Sequence, residues 1–192
     1  MKISLPNITL ILLTNNFEGA KEAVDKSCEG IDFGAVKIIV DLKCNSIETW
    51  NRKIIFDLPK YVDTSHAILI HQDGYIIHPE LWKDEWLEYD YAGSPWPLAT
   101  DNYSYIDEWG QSVRVGNSVS LRSKKLMDLI ATRPMVMHHG NNNEDGQICC
   151  WNRQWLISQG CVFMPFEEAL HFGKEAELPE NKDLLTFAFH SL

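Results

Sequence analysis

The stretch Ala67-Ile68-Leu69-Ile70-His71-Gln72-Asp73-Gly74 decides how this chain folds. Its four apolar residues suit a short strand buried on both faces, and the run gives out into a polar cassette. Open α/β sheets collect their ligands beyond the carboxyl ends of such strands. Asp73 is therefore a candidate metal ligand. His71, two residues earlier, is another, because alternate strand side chains share a face. Oxygen and imidazole donors suit Mn2+ or Mg2+ holding a diphosphate. The plainer reading is an Asp-Gly turn that closes a strand.

Upstream, Ile8 to Leu13 reads as a central strand, and Asn16 can cap a helix over Glu18 to Ser27. Ala35 to Val40 is a second strand with Asp41 at its end, and Ile54 to Leu58, bounded by Pro59, a third. Strands separated by helical stretches predict an α/β fold, a mostly parallel central sheet flanked by helices. Downstream, Tyr75 to His78 is a strand ending at Pro79. Trp82, Trp86 and Leu87 have helical spacing, and Gly and Pro forbid a long helix over Tyr89 to Pro97. Asp101 to Gln111 reads as a surface loop and Val113 to Leu121 as extended. Ser123 can cap a helix over Lys124 to Thr132, and Asn141 to Asp145 one through Ile148, Trp151 and Trp155.

At 192 residues a single domain is expected. The formal net charge of −10, with no cluster of Lys and Arg, excludes a non-specific nucleic-acid surface. An acidic protein that handles an anionic substrate needs a cation, which fits metal use. Five cysteines without a C-x-x-C pair argue against a zinc finger or disulfide framework. Together with an amino-terminal apolar run too short to span a bilayer and lacking a cleavage-type site, they predict a cytoplasmic protein.

Five motifs in order extend the reading. Gln72-Asp73-Gly74 comes first, then Tyr89-Asp90-Tyr91-Ala92-Gly93-Ser94-Pro95-Trp96, then Val115-Gly116-Asn117 with Ser120-Leu121-Arg122-Ser123. Glu144-Asp145 and the terminal Phe187-Ala188-Phe189-His190 follow. Together they resemble an uncharacterised family of glycosyltransferase-like proteins that carries Q-x-D-G, D-Y-x-G-x-P-W and G-N-G-G-F-S-L-R-S. The match runs from roughly Ile68 to His190. The resemblance implies a glycosyltransferase-A-like fold over 1–192, with 1–74 the nucleotide-binding half and 75–192 the acceptor and catalytic half. It implies that Asp73 binds the metal and His190 completes that site. Gly116-Asn117 would form a glycine loop near donor and acceptor, and Asp145 would be the catalytic base, with Glu144 in reserve. The chain departs from the family where Ser118-Val119 replaces Gly-Gly-Phe, and where His71 and Gln72 stand in place of a second carboxylate.

Sugar transfer requires neutralisation of a leaving diphosphate, a base for the acceptor hydroxyl, and a grip on the nucleotide. Asn16, Glu18, Asp41 and Gln72 lie at strand ends suited to the donor's nucleoside, against which helix capping and turn formation are the plainer roles. Arg122 can meet a phosphate bidentately or pair with a surface acid. Trp96 and Trp109, in loops, are the acceptor-side candidates, whereas Trp82 with Trp86, and Trp151 with Trp155, are spaced for packing. His138-His139 reads as loop surface.

The expectation is a metal-dependent glycosyltransferase that moves a sugar from a nucleotide-sugar donor to a glycan or other hydroxyl acceptor, with inversion. The alternatives are a catalytically impaired nucleotide-sugar or glycan-binding module, favoured by Ser118-Val119, and a phosphodiesterase or nucleotidyltransferase built on Asp73 and Asp145.

Overall fold

The computed structural model describes residues 2–191, and of Asn117 and Ser118 only the backbone. Strands β1 (Ile3–Thr14) and β2 (Ile31–Val40) flank helix α1 (Phe17–Ser27), and α2 (Ile47–Phe56) leads to β3 (His66–Leu69). Next come β4 (Gly74–Ile76), β5 (Tyr91–Pro95), β6 (Val115–Ser123) and α3 (Lys124–Ile130). A single helical turn, α4 (Glu144–Gly146), runs into a π-helical segment at Gln147–Trp151 and then α5 (Arg153–Ser158). Helix α6 (Phe166–Phe172) and strands β7 (Gly173–Lys174) and β8 (Ala188–His190) complete the described chain.

The central sheet has five strands in the order β2-β1-β3-β6-β5. β1 pairs in parallel with β2 and β3, while β6 runs antiparallel to β3 and β5. The sheet is thus the mixed, mostly parallel one expected, with one reversed strand. Its central strands bury both faces, as their unbroken apolar runs require. Leu10, Leu12, Ile68 and Ile70 pack on the α1 and α6 side with Trp86, Phe172 and Phe187. Ile11, Leu13, Ala67 and Leu69 pack on the other side against Ile54, Leu58 and Met127. Trp86 lies edge-on to Trp82, Phe172 and Phe187. The packing role read from the Trp82–Trp86 spacing therefore holds, although short 3-10 turns replace the expected helix.

One element is corrected outright. Ile54 to Leu58 is not a strand; Ile54 and Ile55 are the buried face of α2. The Ser46 side chain caps that helix by accepting from the Thr49 N–H at 3.2 Å. A short apolar run cannot by itself separate helix from strand, and the upstream cap is the signal that decides. Ser123 caps α3 as expected, accepting from Leu126 N–H at 3.0 Å.

A second sheet, of order β4-β8-β7, brings the carboxy-terminal residues back to the end of β3. Its register sets His190 opposite Gly74. Among the described residues no helix is long and apolar enough to cross a membrane.

Candidate active site

The cassette after β3 is a tight turn and not a continuing strand. His71 N–H donates to the Gly74 carbonyl at 2.7 Å, with Gln72 and Asp73 at the tip. The shared strand face expected of His71 and Asp73 is therefore replaced by a hairpin corner. Gly74 keeps an ordinary φ; its missing side chain serves a close approach, since a Cβ there would meet His190 Cβ at 2.9 Å.

Asp73 and His190 meet at that corner, Oδ1 to Nε2, at 3.3 Å. The other imidazole nitrogen, Nδ1, faces Glu175 Oε1 at 3.3 Å. The His71 ring lies between Trp50 and His190, with centroids 5.1 and 4.9 Å away. Burial works to lower the His190 pKa, but Glu175 and Asp73 outweigh it, and the net shift is upward. For Asp73, burial pushes up, yet the Ser191 hydroxyl and the His190 charge hold the carboxyl below its usual range.

The donor types gathered here, oxygen and imidazole, are those that a hard divalent ion takes. A carboxylate oxygen and an imidazole nitrogen face each other, and a second carboxylate orients the imidazole from behind, as around many metal-ligating histidines. Among the described residues no group of three His, Cys, Asp or Glu side chains is arranged to hold a metal. Asp73 and His190 would thus leave most positions to phosphate oxygens and water, as Mg2+ and Mn2+ accept.

A cleft of about 470 Å³ starts beside His71 and His190 and is lined by Trp50, Asn51, Asn143, Glu144 and Asp145. A second hollow, about 340 Å³, continues it past Thr14, Asn15, Gln72 and Asp73 at the carboxyl ends of β1 and β3. At the opposite end Asn143 and Asp145 also line a hollow of about 270 Å³ with Trp96, Tyr105 and Trp151. Asp145 therefore stands where two halves of one groove join.

Its position is built by neighbours. Asn51, buried on α2, accepts from Glu144 N–H at 3.1 Å. Arg122, 1% exposed, places Nη2 2.7 Å from Glu144 Oε2 and donates from Nε to Ser120 Oγ at 2.9 Å. Burial drives the Glu144 carboxyl up, Arg122 pulls it back, and it settles at about 7. Asp145 is raised too, by burial first, against the Gly146 N–H that donates to its Oδ1 at 2.7 Å. A partly buried carboxyl with a raised pKa is a better proton acceptor than a solvated one. The π-helical segment that follows is a distortion often found at functional sites.

Of the other candidates, Gln72, Glu144 and Trp96 line the groove and the rest of the described ones lie outside it. Arg122 is not placed to meet a phosphate; it is buried and paired with Glu144. That pairing also turns the reserve base, Glu144, away from solvent. Asp41 binds Lys53 and the Lys43 N–H in a turn, outside the groove. Asn16 and Glu18 begin α1 with exposed side chains and do not line the groove, where Thr14 and Asn15 stand instead. Gln72 lines it and donates to Thr14 Oγ1. Gly116 makes room for the Trp96 indole rather than for a sugar. The Asn117 side chain lies outside the described residues. Trp96 lines the inner hollow, but Trp109 is 70% exposed and lines none of the groove. Trp50, Asn51, Tyr105 and Glu175 were not foreseen. Ser46 and Glu48 marked the helix that carries the first two, whereas nothing in the sequence around Glu175 signals its role.

A mixed sheet with its groove at the carboxyl ends of β1 and β3 defines the α/β fold of this chain. The structure is similar to that of a glycosyltransferase involved in the glycosylation of the major capsid of PBCV-1. The TM-score is 0.60 at 12% identity, covering 95% of this chain and 91% of that one. The apo form of the glycosyltransferase GlyE of Streptococcus pneumoniae TIGR4 aligns at a TM-score of 0.40 and 11% identity, over 99% of this chain and 54% of that one, a likeness too distant to carry weight. Residues 52–190 match the family described as protein of unknown function (DUF5672), and the chain belongs to that family. Among curated proteins there is no match.

Proposed function

We propose that this protein is a metal-dependent glycosyltransferase that moves a sugar from a nucleotide-sugar donor to an acceptor hydroxyl. One observation carries the reading: a single groove has the Asp73–His190 pair at one end, Asp145 at its middle and an aromatic hollow beyond. The fold shared with a glycosyltransferase supports it.

Asp73 and His190 would hold Mn2+ or Mg2+, with Glu175 fixing the imidazole. The bound ion would neutralise charge that grows on the leaving diphosphate. Thr14, Asn15 and Gln72 would contact the nucleotide side. Asp145 would accept the acceptor hydroxyl's proton as that oxygen bonds to the anomeric carbon and the bond to the diphosphate breaks. Gly146 N–H fixes Oδ1 and leaves Oδ2 for the proton. A single base opposite the leaving group gives inversion. Free thiols at all five cysteines suit a reducing compartment, in keeping with a cytoplasmic enzyme.

The test is release of nucleoside diphosphate from common nucleotide sugars with Mn2+, repeated with EDTA. Release that EDTA stops is expected, and NMR of the product should show an inverted anomeric centre. Release of nucleoside monophosphate would reject sugar transfer. Donor binding without turnover in acceptor mixtures would favour the impaired binding module, to which Ser118-Val119 points.

A further inference from the structure

The groove does not end at the inner aromatic hollow. A further hollow of about 390 Å³ adjoins it and shares Tyr103, His138 and Trp151 with it. Two sets of ring contacts line the passage. Trp151 lies against His138 at 5.0 Å, His138 against His139 at 4.6 Å, and His139 stacks on Tyr103 at 4.1 Å with the planes only 19° apart. Trp96 and Tyr105 form the inner end, with centroids 4.9 Å apart.

Between these rings stand short hydrogen-bonding groups: Asn141, Asn143 and Ser104 in the inner hollow, Asn102, Asp107 and Glu108 in the outer. Among the described residues lining either hollow there is no Lys or Arg. Asp107 is buried and staples its own loop, accepting from Trp109 N–H, Gln111 N–H and Gln154 Nε2, whereas Glu108 Oε2 accepts from Gln154 N–H at 3.1 Å.

We infer that the two hollows form consecutive subsites for a neutral glycan of at least two sugar units, whose terminal unit reaches Asp145. This rests on the glycosyl-transfer reading for the direction of the chain, though not for its binding. Pyranose rings offer apolar C–H faces that lie against aromatic planes, and equatorial hydroxyls that pair with amides and carboxylates. Rings in series with polar groups between them repeat that pattern. A single sugar fills only the inner hollow, and a small alcohol leaves its aromatic walls uncovered. The surplus of carboxylates and lack of cations disfavour sialylated, sulfated or phosphorylated chains. A peptide acceptor would instead need backbone partners along an open strand edge, and the walls here are side-chain rings.

The test needs no donor and no turnover. Neutral oligomers of glucose, galactose, mannose and N-acetylglucosamine, one to four units long, are titrated into the intact protein by calorimetry and saturation-transfer NMR. At least one series should gain on the order of tenfold in affinity from one unit to two. His139→Asn, which suits a residue at φ 47°, should bring the longer glycan's affinity down towards that of the single sugar. Tyr103→Ala should do the same. Trp151→Ala should weaken every member, with thermal melting used to exclude unfolding. Affinity independent of length, preference for anionic chains, binding of serine- or threonine-containing peptides in place of glycans, or binding of no series would each overturn the inference. A length-dependent gain without any sugar transfer would leave these subsites standing and sink the transfer reading instead.

Discussion

Gly74 and His190 face each other across the pairing of β4 with β8, and the imidazole covers the place where Gly74 has no side chain. A Cβ at Gly74 would come within 3.0 Å of His190 Cγ, closer than side chains tolerate. Gly74→Ala should displace the imidazole from Asp73 and Glu175. We expect Mn2+-dependent binding of a nucleoside diphosphate to weaken by about 10- to 100-fold, the usual effect of disturbing a metal ligand's support. Stability should change little, because the site is at a sheet margin. Calorimetric titration beside a melting curve separates the two effects, and unchanged metal-dependent affinity would count against His190 as a ligand.

Asp73 and Asp145 should fail in different ways. Asp73→Ala should remove metal-dependent donor binding. Asp145→Asn should keep that binding and lower the transfer rate by about 10²- to 10⁴-fold, the range of a lost general base. Equal loss of binding in both variants, or full turnover in Asp145→Asn, would remove the division of roles along the groove.

How far the sequence disclosed these arrangements depends on whether the signal was local. The both-face burial of β1 and β3 was legible because Leu10 to Leu13 and Ala67 to Ile70 are unbroken apolar runs. Asp73, His190 and Asp145 were singled out by a motif resemblance, and the fold brings all three to one groove. Arg122 stayed open between a phosphate and a surface acid because an exposed and a buried guanidinium look alike in a sequence, and its partner Glu144 lies 22 residues away in the chain. Gly116 was misjudged for the same reason: the ring that needs its missing side chain belongs to Trp96, on another segment. Trp50 escaped notice because the helix that carries it was hidden behind the Ile54-Ile55-Phe56 run.

The Arg122–Glu144 pair should be costly to break on one side only. Arg122→Met leaves a buried carboxyl without its partner and should destabilise the protein by about 3–5 kcal/mol. Adding Glu144→Leu removes the stranded group and should recover much of that loss. Guanidinium denaturation of the two single variants and the double variant measures the coupling. Additive losses would mean that the two side chains do not depend on each other.

Glu144 also predicts a pH dependence with a definite sign. Its carboxyl is raised from 4.5 to about 7 by burial, against the opposing pull of Arg122. Between those values the folded protein binds more protons at this residue than the unfolded chain does, so stability falls as pH rises through that window. At most, the effect is roughly 3 kcal/mol. His190, also raised, adds a loss of the same sign as it deprotonates, so the wild-type slope alone does not isolate Glu144. The comparison with Glu144→Gln does, because glutamine keeps an acceptor for Arg122 and cannot titrate. Melting temperatures between pH 5 and 8.5 should fall more steeply in the wild type than in Glu144→Gln, by several degrees for a chain of this size. Parallel curves would show that Glu144 stays ionised across the range, with Arg122 overcoming the burial that drives its carboxyl upward.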